Sequence, residues 1–237
     1  QLELLNDQNY VVLFWAQVGN TWFADDYKFG TEKVDYPDKL VANNDKYSAF
    51  YGVSYISDVQ GPATKDITLH RPFAQLNALT NDGDVLLNND VASFENVTST
   101  ATIKGVYSQF DLINGDVVDT SRQTVTFASD TIPAGREGEV TSNDNYSHLS
   151  MNYLFVPTDQ KCVADVMFTV TAKRKTANTD DIVIETPLYT SVPLKSNYKT
   201  NIIGKLLTNS TEFNIELDCN WGGNDEYILG GGEVTLT

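Results

Sequence analysis

Apolar and polar positions alternate along much of the chain. Val166, Phe168 and Val170 are separated by Met167 and Thr169, and Phe213, Ile215 and Leu217 are set between Glu212, Asn214, Glu216 and Asp218. A two-residue period places one set of side chains on a buried face and the other in water, so each run predicts a β-strand. Further strands are expected at Tyr10–Gln17, Ile67–Asn77, Thr100–Phe110, Val125–Ala128, Leu149–Val156, Asp181–Thr186 and Asn197–Leu206. Helical periodicity is scarce. The best helix candidate runs from Asn44 to Tyr51, where Asn44 or Asp45 can cap a short turn carrying Tyr47, Phe50 and Tyr51 on one side.

Turn chemistry is dense between these runs. Asn114-Gly115-Asp116 joins a β-like run ending at Ile113 to another starting at Val117. Asn and Gly tolerate positive φ, which a tight hairpin requires. Asn81-Asp82-Gly83-Asp84 is a polar break, continued by Leu86 to Asp90 as a connection, and the expected division lies there: residues 1–83 and residues 84–237. Many short strands with regular turns and no strand-helix-strand rhythm predict an all-β chain of two β-sandwich domains. Near the end, Gly230-Gly231-Gly232 separates Tyr227-Ile228-Leu229 from Glu233 to Thr237, which alternates polar and apolar residues. That tail is either a strand on a hinge or an edge strand folded back on its own domain.

Composition narrows the classes. The chain has 237 residues, with 16 Lys plus Arg against 32 Asp plus Glu, a formal net charge of −16 at pH 7. Binding to nucleic acid or to an anionic membrane surface depends on clustered cations, so both are demoted. With 41% hydrophobic residues a core can form, while the longest apolar run, Tyr10 to Ala16, is far shorter than the roughly 20 residues of a membrane-spanning helix. Cys162 and Cys219 are too few for a disulfide framework; they are two ordinary thiols or, in an exported chain, one bridge.

Catalytic chemistry finds little footing. His70 and His148 are the only histidines, and no G-x-S-x-G elbow accompanies them. The acidic clusters Asp25-Asp26, Asp82 with Asp84, and Asp180-Asp181 do not follow the spacing of a single-loop Ca²⁺ site. No phosphate-binding glycine motif occurs, so no enzyme, cofactor or metal is expected. Trp22 and Trp221 lie beside Gly and Asn and are the weak candidates for an exposed ligand-binding pair, whereas Trp15 belongs to an apolar run and is expected in the core.

Four segments carry a resemblance. Arg71-Pro72-Phe73-Ala74-Gln75-Leu76-Asn77 resembles the R-P-F-A-Q-L-N segment of fimbrillin-family proteins of Bacteroidales, the FimA- and Mfa-like pilins. Tyr10 to Gln17 resembles their Y-x-h-h-F-W-A-Q strand, with h an apolar residue, and His148 to Leu154 resembles h-L-S-M-N-Y-L. Asn197 to Thr208, followed by Phe213 to Asp218, resembles the N-Y-R-T-N-I-h-G-x-L-L-T…F-x-h-x-h-D block that closes their second domain.

The resemblance implies two sandwich domains of transthyretin-like, Greek-key type and no enzymatic activity. It further implies an exported surface lipoprotein of the outer membrane that forms fimbriae by donor strand exchange and mediates cell adhesion. Its partners would be other pilin subunits, with a host protein or glycan besides, and it would meet the membrane only through a lipid anchor on the precursor. On this view Tyr227, Ile228, Leu229, Val234 and Leu236 are the candidate donor-strand anchors. Family members carry about two more strands before the segment matching Tyr10–Gln17, so the first domain is expected to be incomplete, and their protease and lipidation sites map to no residue here. The alternatives are a monomeric surface module that binds a glycan or host protein and, more distantly, a secreted hydrolase on a β scaffold.

Overall fold

The computed structural model describes residues 3–17, 27–83, 94–128, 146–176, 180–208, 213–219 and 235–236. The chain is all-β, as the alternation predicts. The largest sheet begins with β8 (Phe94–Tyr107), flanked along its length by β11 (Arg122–Ala128) and β13 (Cys162–Arg174). Beyond β11 lies β4 (Leu40–Val41), in parallel, and the far edge of β13 takes β15 (Tyr189–Leu194) and then β14 (Ile182–Glu185). A second set of strands runs β12 (Ser147–Phe155), β7 (Phe73–Thr80), β16 (Lys199–Gly204), β17 (Phe213–Asp218).

The two sets join within the sheet at a single residue pair, Phe155 with Tyr107. Elsewhere they meet through side chains. Ser99 Oγ on β8 donates to the Leu149 carbonyl on β12 at 2.6 Å, Thr200 Oγ1 on β16 donates to the Pro193 carbonyl on β15 at 2.7 Å, and the rings of Tyr189 and Phe213 lie 4.4 Å apart. Alternate residues of β13 (Ala164, Val166, Phe168, Val170, Ala172) are buried in one core with Ala101, Ile103, Leu149, Leu154 and Ile202. The opposite face of this layer presents threonines, with Thr100 paired to Thr169, Thr98 to Thr171 and Thr102 to Thr126. β-branched hydroxyl residues suit a pleated face that meets water.

The amino-terminal strands cover one end of this sandwich. β1 (Tyr10–Gln17) and β5 (Ala49–Ile56) form an antiparallel ribbon, while β2 (Lys28–Phe29) and β3 (Lys33–Asp35) pair with β9 (Gln109–Asp111) and β10 (Asp116–Val117). β6 (Ala63–Thr64) pairs with β18 (Thr235–Leu236). Strands from both sides of the Gly83–Asp84 junction therefore share ladders: β7 with β12, β3 with β9, β4 with β11. Trp15, Tyr27, Tyr36, Tyr51, Phe73, Phe110 and Phe155 interlock with ring centroids 4.6–6.1 Å apart: Trp15 meets Tyr27 and Phe73 edge-on, Tyr51 is tilted against Phe110, and Tyr36, Phe73 and Phe110 stack on Phe155.

Several elements differ from the sequence expectation. The helix at Asn44–Tyr51 is one 3-10 turn, Asp45–Tyr47, with the Asn44 side chain accepting from the Lys46 N–H, after which Ala49 opens β5. Ladder pairing of Phe50 and Tyr51 with Ala16 and Trp15 overrides the local helical signal. The strand expected at Ile67–Asn77 starts at Phe73, because Pro72 has no N–H to give a ladder. The strand expected at Thr100–Phe110 is two, β8 and β9, divided at Ser108. The Asn114-Gly115 hairpin forms with a four-residue loop closed by the Asp111–Asp116 pair, and the positive φ falls on Gly115 (+65°).

Candidate functional site

The three family-like segments that carry polar motifs become neighbours. β7 holds Phe73 to Asn77, β12 holds the Leu149 to Leu154 motif antiparallel on one side, and β16 holds Lys199 to Gly204 parallel on the other. Parallel register sets Asn77 beside Asn201, and Asn77 Nδ2 donates to Asn201 Oδ1 at 2.8 Å and to Gln75 Oε1 at 3.4 Å. Asn152 Nδ2 reaches the Leu76 carbonyl at 3.3 Å and Ser150 Oγ at 2.9 Å. All these side chains are buried and pair with one another or with backbone, except that Asn77 Oδ1 has no hydrogen-bond partner among the described residues, so the motif polar residues hold register.

Arg71 and Asn197 latch the start of this unit. Arg71 Nη1 donates to Asn197 Oδ1 at 2.8 Å, its carbonyl accepts from Ser196 Oγ at 2.6 Å, and its guanidinium lies 4.7 Å from the Phe50 ring centroid. Asn197 takes φ +60°, a conformation Asn accepts more readily than most residues, and gives its N–H to the Phe73 carbonyl at 2.8 Å. Asp82, from the polar break, accepts from the N–H groups of Leu207 (3.3 Å) and Thr208 (2.8 Å). Its role is to pin a turn.

Sequence reasoning missed the seal along the outer edge of β12. Tyr36 Oη accepts the Phe155 N–H at 2.7 Å and donates to the Tyr153 carbonyl at 3.3 Å, and the Met151 carbonyl accepts the Asn43 N–H at 2.8 Å. A buried hydroxyl thus stands where another strand's backbone would be, and burial pushes its pKa far above the ordinary value. A lone tyrosine between Asp35 and Pro37 carries no signal of this in sequence.

The candidate donor-strand residues divide. Leu236 lies in β18, paired with Ala63, next to the Thr235–Thr64 pair. Tyr227, Ile228, Leu229 and Val234 lie outside the described residues, as do Trp22 and Trp221. Of the acidic clusters, Asp25, Asp26 and Asp84 lie outside them too; Asp181 accepts from the Arg174 N–H at 3.3 Å, and Asp180 offers its carbonyl to Arg174 Nε at 3.1 Å. Among the described residues no group of three or more His, Cys, Asp or Glu side chains gathers.

His70 exchanges both backbone hydrogen bonds with Tyr51, each 2.8 Å, and His148 is a β12 residue opposite Leu79. Cys162 and Cys219 are free thiols, the first half-buried with its pKa pushed up by burial to about 11, the second exposed. No helix among the described residues is long and apolar enough to cross a membrane.

A family model matches residues 1–236, essentially the whole chain. The chain belongs to DUF6562, a family of unknown function. No curated protein matches it at a significant level. Among solved structures, it is similar to a proposed cell adhesion protein from Bacteroides ovatus, with 12% identity over 94% of this chain and 72% of that one and a TM-score of 0.42. A proposed adhesin from Bacteroides thetaiotaomicron shares 11% identity over 92% and 77%, with a TM-score of 0.41. A fimbrial protein from Bacteroides vulgatus shares 10% over 90% and 92%, with a TM-score of 0.27. At these scores the likeness specifies neither a ligand nor an activity for this DUF6562 chain.

Proposed function

We propose that this chain is a structural subunit or accessory component of a bacterial cell-surface fimbria. In this reading it is exported to the outer membrane surface, mediates adhesion without catalysis, and assembles with other pilin subunits by β-strand donation. The observation that carries the reading is the tail. Among the described residues β18 is held on β6 of its own chain by two residue pairs, and Gly230-Gly231-Gly232 lies just before it in the sequence.

A strand on so short a ladder gives up few hydrogen bonds, each worth about 0.5–1.5 kcal/mol net, when it moves to an equivalent edge on a second copy. The resemblance of four segments to fimbrillins supports the same reading. So does the convergence of three of them on β12, β7 and β16, which makes those motifs a shared structural unit.

The test is sizing of purified full-length protein before and after limited trypsin treatment, beside a variant ending at Gly230. Ladders or filaments that need the tail are expected, and replacing Val234 and Leu236 by Asp should abolish them. Assembly unchanged by truncation after Gly230 would overturn strand donation.

A further inference from the structure

The ribbon β1–β5 opens a cleft that neither the fold nor strand donation uses. On the edge of β5 away from β1, Tyr51 exchanges two hydrogen bonds with His70. Backbone groups in an antiparallel strand alternate between its two edges, so Val53 and Tyr55 direct their N–H and C=O groups to that same edge. The segment that would continue the ladder, Lys65 to Thr68, lies against β5 at Gly52 without pairing to it as a strand, and the Tyr55 carbonyl takes the Lys65 ammonium at 2.5 Å in place of a strand N–H. The gap is a cleft of about 490 Å³, floored by β5 and walled by Lys65–Thr68 and the Asn114–Gly115 turn. It lies within the roughly 300–1,000 Å³ of small-ligand sites.

Its lining is specific. Tyr55 is 54% exposed and is tethered by its hydroxyl to the Ile113 carbonyl at 3.4 Å, so its ring offers an apolar wall to the cleft. Tyr51 stands deeper, its hydroxyl donating to the Gly115 carbonyl at 3.0 Å. A side chain at Gly115 would meet the Tyr51 hydroxyl at 3.0 Å and its ring at 3.1 Å, and would also have to accept φ +65°. Asp66, Thr68 and Asn114 line the cleft too and carry a carboxylate, a hydroxyl and an amide, the Asn114 Nδ2 donating to Asp111 Oδ2 at 2.9 Å. Ser54 also lines the cleft, and its Oγ is buried with no hydrogen-bond partner among the described residues.

We propose that this cleft binds a neutral saccharide unit. A pyranose has an apolar face of C–H groups that suits an aromatic wall and a ring of hydroxyls that both donate and accept, matching a carboxylate, an amide and hydroxyls at the rim. Charge disfavours anionic ligands: the Lys65 ammonium in the cleft is offset by the neighbouring Asp66, and the chain carries −16 overall. The engaged Tyr55 carbonyl removes one ladder acceptor that an added peptide strand would need. His70 is on the rim as well and faces the Tyr51 ring at 5.9 Å.

The test is titration of the purified full chain, followed by backbone amide NMR, with the neutral tetrasaccharides of glucose, mannose, galactose, xylose and N-acetylglucosamine, and separately with the peptide of residues 231–237. Saturable shifts at Val53, Tyr55, Asp66 and Asn114 with at least one saccharide are expected. Tyr55→Ala and Asp66→Asn, both at exposed positions, should each weaken that binding at least tenfold, while Leu5→Ala, at a 74% exposed site elsewhere, should not. Amide spectra of the variants otherwise superposable on the parent establish that they fold. Absence of shifts across the panel, insensitivity to Tyr55→Ala, or shifts with the peptide alone would overturn the proposal, the last making the cleft a strand slot. Sizing reads strand donation independently, so either proposal can fail without the other.

Discussion

At the scale of single residues, the side chains that matter most to the fold are polar ones placed against backbone. Replacing Tyr36 by Phe leaves the ring packing on Phe155 intact but strands the Phe155 N–H, 2.7 Å from the lost oxygen, in a buried site. A loss of about 1–3 kcal/mol is expected, read as a lower urea midpoint with an unchanged slope. Cys162 and Tyr153 make a second prediction. Burial raises Cys162 from 9.0 to about 11 and Tyr153 from 10.0 to about 12. Between the ordinary and raised values the folded chain keeps a proton that the unfolded chain has lost. Stability should therefore be flat below pH 9 with respect to these groups and fall as pH rises through 9–12. Urea midpoints at pH 8 and 10.5 check this, and Cys162→Ser should reduce the difference. At pH 8 a thiol reagent should modify exposed Cys219 well before Cys162.

Among the elements, β7 is the keystone, and its sequence shows why alternation alone could not place it. Phe73 to Thr80 is buried at every position, because strands flank both edges and both faces are covered. Such a strand has no polar face to reveal its period. Leu76, fully buried, is expected to cost about 2–5 kcal/mol when cut to Ala. Val183, 59% exposed on the edge strand β14, should cost no more than about 0.5 kcal/mol for the same change. Chemical denaturation of the two variants side by side tests the ranking. The edge strands β14 and β17 were legible because one of their faces meets solvent, whereas two-residue strands such as β2, β4 and β6 exist only through their partners.

For the whole molecule, charge is the dominant property. Sixteen excess negative charges oppose the approach of a second copy, and the opposition is screened by salt as the Debye length falls from about 30 Å at 0.01 M to about 8 Å at 0.15 M. If copies join by strand donation, the rate of oligomer formation followed by light scattering should rise with ionic strength. A hydrophobic, uncharged encounter would show little dependence. Solubility should pass through a minimum near the isoelectric point of about 4.3, visible as turbidity on titration.

By itself the sequence determined the class: all-β, acidic, with strands at Tyr10–Gln17, Val125–Ala128 and Phe213–Asp218 and a glycine-closed hairpin at Gly115. These follow from local rules, the two-residue period of a half-buried strand and the φ freedom of Gly, which need no knowledge of distant neighbours. Tertiary structure alone decided what depends on long-range register. It set Asn77 beside Asn201 across 124 positions, gave Tyr36 an edge of β12 to seal, returned β18 to β6, and left Lys65–Thr68 beside β5 without a ladder, where a cleft opens. Each is a pairing between segments far apart in the chain, and only the energy of the assembled sheet and core selects it.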